Sequence, residues 1–340
     1  MPVYKKINFR NAINQNNTGT NGGVMSLTEF DSMPVISVDD KVNGSTITRK
    51  IFVHPKLTGD GIELNPNFLE VYAGISYGYI ESDGVYIYGY PVSETSTQAD
   101  WVAPVRAYGC HRIVGDISTN TTNLTITKKQ VAVPLFQVGD KAVVCKSIKT
   151  SGVWETYQSK ILTISAVSGN SITLVESIGN LVNSSGAITT GVQGVNEFLT
   201  ITSLYAWANV KATIDNVNVT SASGQFNSAS VILNGQESVS DTYTLSFTTS
   251  TVGEIISARH GVLSAFSIAG GIAPTNPEAS ITTLFSIPPA AFSGTFLSGD
   301  SIVFTVHAAS VAMAYQRVVE PNAATELRDK FNQLAVIAIS

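Results

Sequence analysis

The chain carries four histidines, His54, His111, His260 and His307, and two cysteines, Cys110 and Cys145, in 340 residues. A metal site needs such groups at short, matched spacings, and no histidine here stands near another His, a Cys or a carboxylate at ligand spacing. Each therefore reads as a surface or packed side chain, and no metal or other cofactor is expected. Cys110 and His111 are adjacent, which on a strand sends their side chains to opposite faces, so they cannot act as nucleophile and base. The two cysteines lie far apart with no Cys-x-x-Cys, and disulfide-stapled folds are short and cysteine-dense, so they read as two buried or semi-buried thiols. Carboxylates such as Asp39, Asp40 and Asp60 fall in turns, whereas a glycosidase needs a pair across a cleft. Gly261 to Gly271 is glycine-spaced but lacks the Lys and the strand-to-helix setting of a phosphate cradle, and no Gly-x-Ser-x-Gly occurs. The expectation is a protein that is not an enzyme.

Tyrosines are the remaining concentration of chemistry. Tyr72, Tyr77, Tyr79, Tyr86, Tyr88 and Tyr90 crowd one region, where alternating rings could stack a sugar or a protein partner, or could pack a core. Both readings stay open, and Tyr77, Tyr79, Tyr86 and Tyr88 are taken as candidate interface residues. Basic residues do not interleave with them, so a single-stranded nucleic-acid groove is not expected. The net charge of -5 offers neither a basic field for nucleic acid nor a polybasic membrane patch.

The charged fraction of 13% is about half the usual quarter. Ser, Thr, Asn, Gly and Val fill the gap, which gives the neutral, hydroxyl-rich surface of extracellular or virion β proteins. No uncharged apolar run reaches the roughly 18 residues a membrane span needs. Met1-Pro-Val-Tyr-Lys-Lys6 is not followed by a signal-peptide core. The reading is a soluble chain made in the cytoplasm, and its length implies two or three domains.

The elements that must position these residues are mostly strands. In Asp241-Thr-Tyr-Thr-Leu-Ser-Phe247, Tyr243, Leu245 and Phe247 alternate with hydroxyl residues, the period of a strand with one buried face. Ser301 to Val306 and Val311 to Val319 are two more such runs. Ser298-Gly299-Asp300 supplies a turn whose Asp can bond the following amides. The prolines of 273–277 and 285–292 stop any ladder between these strands from continuing. Further strands are expected at Thr46 to Val53, Phe68 to Ile75, Gly84 to Tyr90, Trp101 to Ile113, Phe198 to Tyr205 and Ala212 to Val219.

Between these lies a different texture. Val138-Gly139-Asp140, the following strand pair and Ser168-Gly-Asn-Ser171 resemble small five-stranded barrels closed by a tight hairpin. Asn183 to Gly191 looks like an exit linker. The division is therefore 1–33 as an N-terminal arm, 34–115 plus 196–340 as a β-sandwich scaffold, and 116–195 as an inserted small β-barrel. The arm contains Asn11 to Gly23, polar and glycine-punctuated, which cannot bury itself and is either flexible or ordered against a neighbouring subunit. Ala323 to Leu334 is the best helix candidate, with Leu327, Phe331 and Leu334 on one face. Leu334, Val336, Ile337 and Ile339 belong to an apolar, uncharged end expected as a strand added to this sheet or to a partner's. The fold class is all-β, a sandwich with the inserted barrel and a short C-terminal helix.

Asp241 to Phe247, Ala273-Pro-Thr-Asn-Pro277, Phe285 to Gly294, Ser298 to Asp300, Ala314 to Val319 and Arg49 to Val53 together resemble virion structural proteins of contractile-tailed, Mu-like and related bacteriophages. Tryptophan often stands in that family where Phe292 and Tyr315 stand here. The resemblance covers both flanking parts and leaves 116–195 as an insertion. It implies a non-catalytic tail or baseplate subunit of the virion that holds tube, sheath and baseplate together. The implied assembly is a homo-oligomeric ring, six copies by analogy with tail symmetry. A head-decoration protein or a receptor-binding fibre is the alternative that shares this composition, although a fibre should show repeats or a coiled-coil start, and neither occurs.

Overall fold

A computed structural model describes residues 7–12, 21–26, 38–55, 68–77, 85–93, 106–127, 134–183, 185–195, 197–234, 239–277, 283–309, 311–322 and 332–339. The fold is all-β. The first part supplies β1 (Ile7–Ala12), β2 (Asn21–Ser26), helix α1 (Val38–Asn43), β3 (Ser45–Pro55), β4 (Phe68–Tyr77), β5 (Val85–Pro91) and β6 (Tyr108–Arg112). The middle supplies β7 (Asn123–Thr125), β8 (Lys141–Thr150), β9 (Val153–Gln158), β10 (Leu162–Ser168), β11 (Ser171–Leu174), β12 (Leu181–Val182) and β13 (Ile188–Thr189). It is followed by β14 (Glu197–Val210), β15 (Thr213–Thr220), β16 (Gln225–Phe226), β17 (Ile232–Leu233), β18 (Asp241–Phe247), β19 (Val252–Ser257) and β20 (Gly261–Ser267). The last strands are β21 (Phe285–Ser286), β22 (Phe292–Ser293), β23 (Ser301–His307), β24 (Val311–Val319) and β25 (Asn332–Ile339).

A five-stranded antiparallel sheet has the order β15-β23-β18-β19-β20. As the alternation predicts, Tyr243, Leu245 and Phe247 of β18 are buried, with Ile302, Phe304 and Val306 of β23 beside them. The opposite wall of this core is the proline-bounded excursion, which contributes Ile272, Leu284, Phe285, Ile287, Ala291 and Phe296. Its ladder is reduced, as the prolines require, to the bridges Ile272 to Ile287 and Thr275 to Thr283 and to the short pairs β16–β22 and β17–β21. Ring packing is dense: Phe247 stacks on Phe296 with centroids 4.3 Å apart, and Tyr243 meets Phe285 edge to face at 4.9 Å. Gly299 takes φ 93° in the turn before β23. Asp300 there accepts from the preceding amide of Leu297 and from the Ser221 hydroxyl, where a bond to following amides was expected.

A larger sheet runs β13-β12-β9-β8-β14-β6-β5-β24-β3-β1-β2, with β4 and β25 branching from β14 and with β10, β11 and β7 branching from β8. Val311–Val319 therefore does not extend the sheet of β18 and β23. It pairs with β3 and β5, the N-terminal strands, in antiparallel register. Neighbouring residues of β24 consequently serve two cores, since Met313 enters the core of the five-stranded sheet and Ala314 enters a second core. That second core holds Leu124, Ile126, Phe136, Val144, Leu162, Ile164, Ile172, Leu199 and Ile201. β14 does the same along its length: Leu199 and Ile201 pack in the second core, and Tyr205, Trp207 and Val210 pack in the first.

Three expectations change. Ile7–Ala12 and Asn21–Ser26 of the arm are strands, β1 lying on β3 from Ile7↔Pro55 to Asn11↔Ile51. Its polar composition forbids burial, but backbone pairing on an open edge needs no buried side chain; residues 13–20 lie outside the described residues. Of the expected C-terminal helix, 323–331 lie outside the described residues, and Asn332–Leu334 open β25. Eight consecutive pairs with β4 outweigh the weak helical periodicity of those three residues. Asp39 and Asp40 stand in the first turn of α1, where the helix dipole favours carboxylates, rather than in a turn.

Candidate interaction surfaces

Residues of the tyrosine group separate once placed. Tyr72, Tyr88 and Tyr90 are buried in the single chain. Tyr88 lies opposite Gln316 and donates its hydroxyl to Gln316 Oε1 at 2.6 Å, while Gln316 Nε2 donates to Thr48 Oγ1 at 2.9 Å. One hydrogen-bonded row thus crosses β5, β24 and β3, and burial raises the pKa of Tyr88 and Tyr90 above the ordinary phenol value. Tyr88 belongs to the chain's own core. Tyr86 stands opposite Val318 on β5, and Tyr77 stands opposite Asn332 at the start of β25. Tyr79 lies outside the described residues.

Leu334, Val336, Ile337 and Ile339 are brought onto β4, opposite Ile75, Ala73, Tyr72 and Glu70. The expected strand addition thus occurs within this chain's own sheet. Tyr77 and these four residues share the β4–β25 ladder, and Tyr86 and Tyr88 lie apart from it on β5. β4 crosses close over β14 where Gly74 sits: a Cβ there would strike the Ser203 carbonyl, so glycine permits the contact. Among the described residues, β25 pairs only with β4, and β2 pairs only with β1. Each leaves one side of its backbone without a ladder.

The strands of 116–195 join the rest along β8 and β14, paired in unbroken register from Glu197↔Ile148 to Leu204↔Lys141. Two ion pairs clasp the same junction. Arg106 bonds Asp140 in the Val138-Gly139-Asp140 turn, and its guanidinium stands 4.7 Å over the Tyr108 ring. Tyr108 continues edge to face into Tyr205 at 5.2 Å and Trp207 at 4.7 Å. Burial raises the Tyr108 pKa and the Arg106 charge partly offsets it. Lys146, its side chain only 3% exposed, bonds Glu197 at 2.8 Å and donates to the Thr190 carbonyl at 3.1 Å.

The presumed exit linker is therefore tied down. Its carbonyl at Gly191 accepts from Ile117, Gln193 donates to Asp116 and to the Gly115 and Ile113 carbonyls, and Ile188–Thr189 pairs with β12. A glycine- and serine-rich composition suggested freedom, but it also supplies the small residues that fit close backbone approach, as at Gly191 against Ile117. Beside this tie, Val114, Ile188, Val192 and Val195 are exposed, Val195 to 93%.

Titratable groups elsewhere do structural work. Ser257 donates to Asp241 and accepts from the amides of Arg259 and His260, closing the β19–β20 turn. His307 Nε2 lies 3.1 Å from Asp215 Oδ2 across β15 and β23. His111 is buried and tilts against Phe136, with Cys110 on the other face of β6. Cys110 and Cys145 are buried thiols. No group of three or more His, Cys, Asp or Glu able to hold a metal occurs among the described residues. No helix of the described residues is long and apolar enough to cross a membrane. No family model, curated protein or solved structure matches the chain.

Proposed function

We propose that this chain is a non-catalytic structural subunit of a contractile phage tail, assembling at the junction of baseplate, tail tube and sheath and holding those parts together. It acts as a homo-oligomeric ring, six copies to match tail symmetry, with tube, sheath and baseplate proteins as partners and the virion as its destination after synthesis in the host cytoplasm. In this reading 34–115 with 196–340 form the scaffold, and 116–195 form a module carried on it.

The observation that carries the proposal is the large sheet whose strands β14 and β24 feed two cores at once and whose ends β2 and β25 have one strand partner each among the described residues. A sheet built this way resists relative movement of its parts under load and still offers backbone edges to neighbours. The clasps Arg106–Asp140 and Lys146–Glu197 serve the same end by holding the module to the scaffold. The low charge suits a subunit whose surface is largely covered in an assembly.

The test is the position of the protein in the intact particle. Antibody or gold label on an epitope-tagged virion should decorate the tail below the neck, and particles lacking the protein should carry defective tails. Label on the capsid or at fibre tips would replace this reading with the head-decoration or receptor-binding alternative.

A further inference from the structure

We infer that neighbouring copies join by adding β2 of one chain to β25 of the next, so that the two open ends of one hydrogen-bonded path close a ring head to tail. The inference rests on the ring reading above and names its contact. The path from one end to the other is β25-β4-β14-β6-β5-β24-β3-β1-β2, each strand paired to its neighbours except the first and last, which have one partner each among the described residues. An open strand edge presents a row of amides and carbonyls that seek partners, and it is ordinarily protected by charge, proline or a bulge.

These two ends lack the first two protections. Asn332–Ile339 reads Asn-Gln-Leu-Ala-Val-Ile-Ala-Ile and Asn21–Ser26 reads Asn-Gly-Gly-Val-Met-Ser, with no charged residue and no proline in either. The ladder of β25 on β4 is also free of irregularity over eight residues. The edges of the five-stranded sheet differ. β15 is broken by a bulge between Asp215 and Asn218, with Asn216 at φ 50°, and carries the exposed, charged Asp215. Register shifts interrupt β20 against β19 and β1 against β2 alike, so β25 is the open strand that pairs in unbroken register over eight residues. β13 and β7, the other ends of the large sheet, have two and three residues and are too short to hold a strand.

Head-to-tail pairing is preferred over two-fold pairing of like edges because it uses both open ends of every copy. A two-fold β25–β25 contact would satisfy one edge and leave β2 open. An unlike contact repeated by rotation closes a ring, whereas like-to-like contacts stop at a dimer. Within one chain β1 lies beside β25 with no ladder between them. Both ends of the path thus lie in one region of the single chain, and the test must separate pairing inside one chain from pairing between two.

Cysteine pairing does this with the full-length protein, because the native Cys110 and Cys145 are buried. Val24→Cys and Val336→Cys are made separately and together, with Gly23→Cys and Ile337→Cys to sample the alternate face. Under mild oxidation, mixed single variants at the matching positions should give a covalent dimer. A variant carrying both changes should give a ladder reaching six chains, lost when Gly23→Lys adds charge to the β2 edge. A dimer from Val336→Cys alone, a fast-running monomer linked within itself, or no covalent product from any pair would each overturn the inference. Cross-linking is read on purified protein and label position on virions, so the two proposals fail separately. Cross-linked rings from a protein absent from tails would remove the tail reading alone, and tail-located protein without cross-links would remove the edge pairing alone.

Discussion

Phe296 and Gly224 should be strongly coupled. Phe296 is 2% exposed, with its ring against the Gly224 backbone on one side and stacked on Phe247 on the other, at 4.3 Å and 4° between planes. Phe296→Ala removes the buried ring and should cost about 3–5 kcal/mol. Gly224→Ala would place a Cβ 2.5 Å from two carbons of that ring. The stacked Phe247 blocks retreat, so overpacking should cost about 1–3 kcal/mol. In the double variant the clash disappears and the added methyl enters the space the ring left. Its loss should therefore fall short of the sum of the single losses by about 1–3 kcal/mol. The assay is urea unfolding followed by the fluorescence of Trp207, which packs against this core, in a background with Trp101→Phe and Trp154→Phe, and with slopes compared between variants. Additive losses, or a neutral Gly224→Ala, would refute the packing argument.

Tyr88→Phe should cost about 1 kcal/mol by leaving Gln316 Oε1 without its donor. Because burial raises the Tyr88 pKa, the neutral phenol is the form the fold favours. Its contribution should be full below the ordinary tyrosine value and disappear as pH rises through the folded one, so the wild-type advantage over Tyr88→Phe should shrink in alkaline titrations. Glu176 has its pKa lowered, first by the Thr163 amide it accepts from at 2.9 Å and then by the Thr163 hydroxyl, with burial opposing. A lowered carboxylate pKa stabilises above the unfolded value and stops doing so as pH falls through the folded one. The thermal-midpoint difference between wild type and Glu176→Gln should accordingly vanish in acid, and a constant difference would contradict it. Lys146→Met should cost about 1–3 kcal/mol, less than the roughly 3–5 of a fully buried pair because Glu197 can rehydrate. It should also speed amide exchange across 188–195, measured by mass spectrometry, and unchanged exchange would show that the segment is held without the clasp.

Local alternation was enough to place several elements. Tyr243, Leu245 and Phe247, then Ile302, Phe304 and Val306, declare strands with one buried face, and the prolines of 273–292 declare where ladders stop. The hairpin at Ser168–Ser171 and the turn at Val138–Asp140 were likewise legible, because turn chemistry depends on a few adjacent residues: Gly169 takes φ 58° and Gly139 φ 90°. β19 and β20 were not read. β19 buries alternate residues, but two of the three are Gly253 and Ser257, and β20 buries Phe266 alone, so neither shows an alternation of apolar residues in the sequence.

For the interaction surfaces, residue types and their alternation were all that the sequence could supply. It could mark Leu334 to Ile339 as a strand in need of a partner and Tyr77 to Tyr90 as rings that must pack or bind. Only the tertiary structure decided that β25 takes β4, that Tyr88 spends its hydroxyl on Gln316 inside the core, and that Val311–Val319 leaves the sheet of β18 and β23 for that of β3 and β5. The reason is physical. Which face of a strand is buried follows from nearest-neighbour alternation, whereas which strand it pairs with depends on backbone hydrogen bonds that are the same for every sequence, so the choice is made by everything packed on both faces.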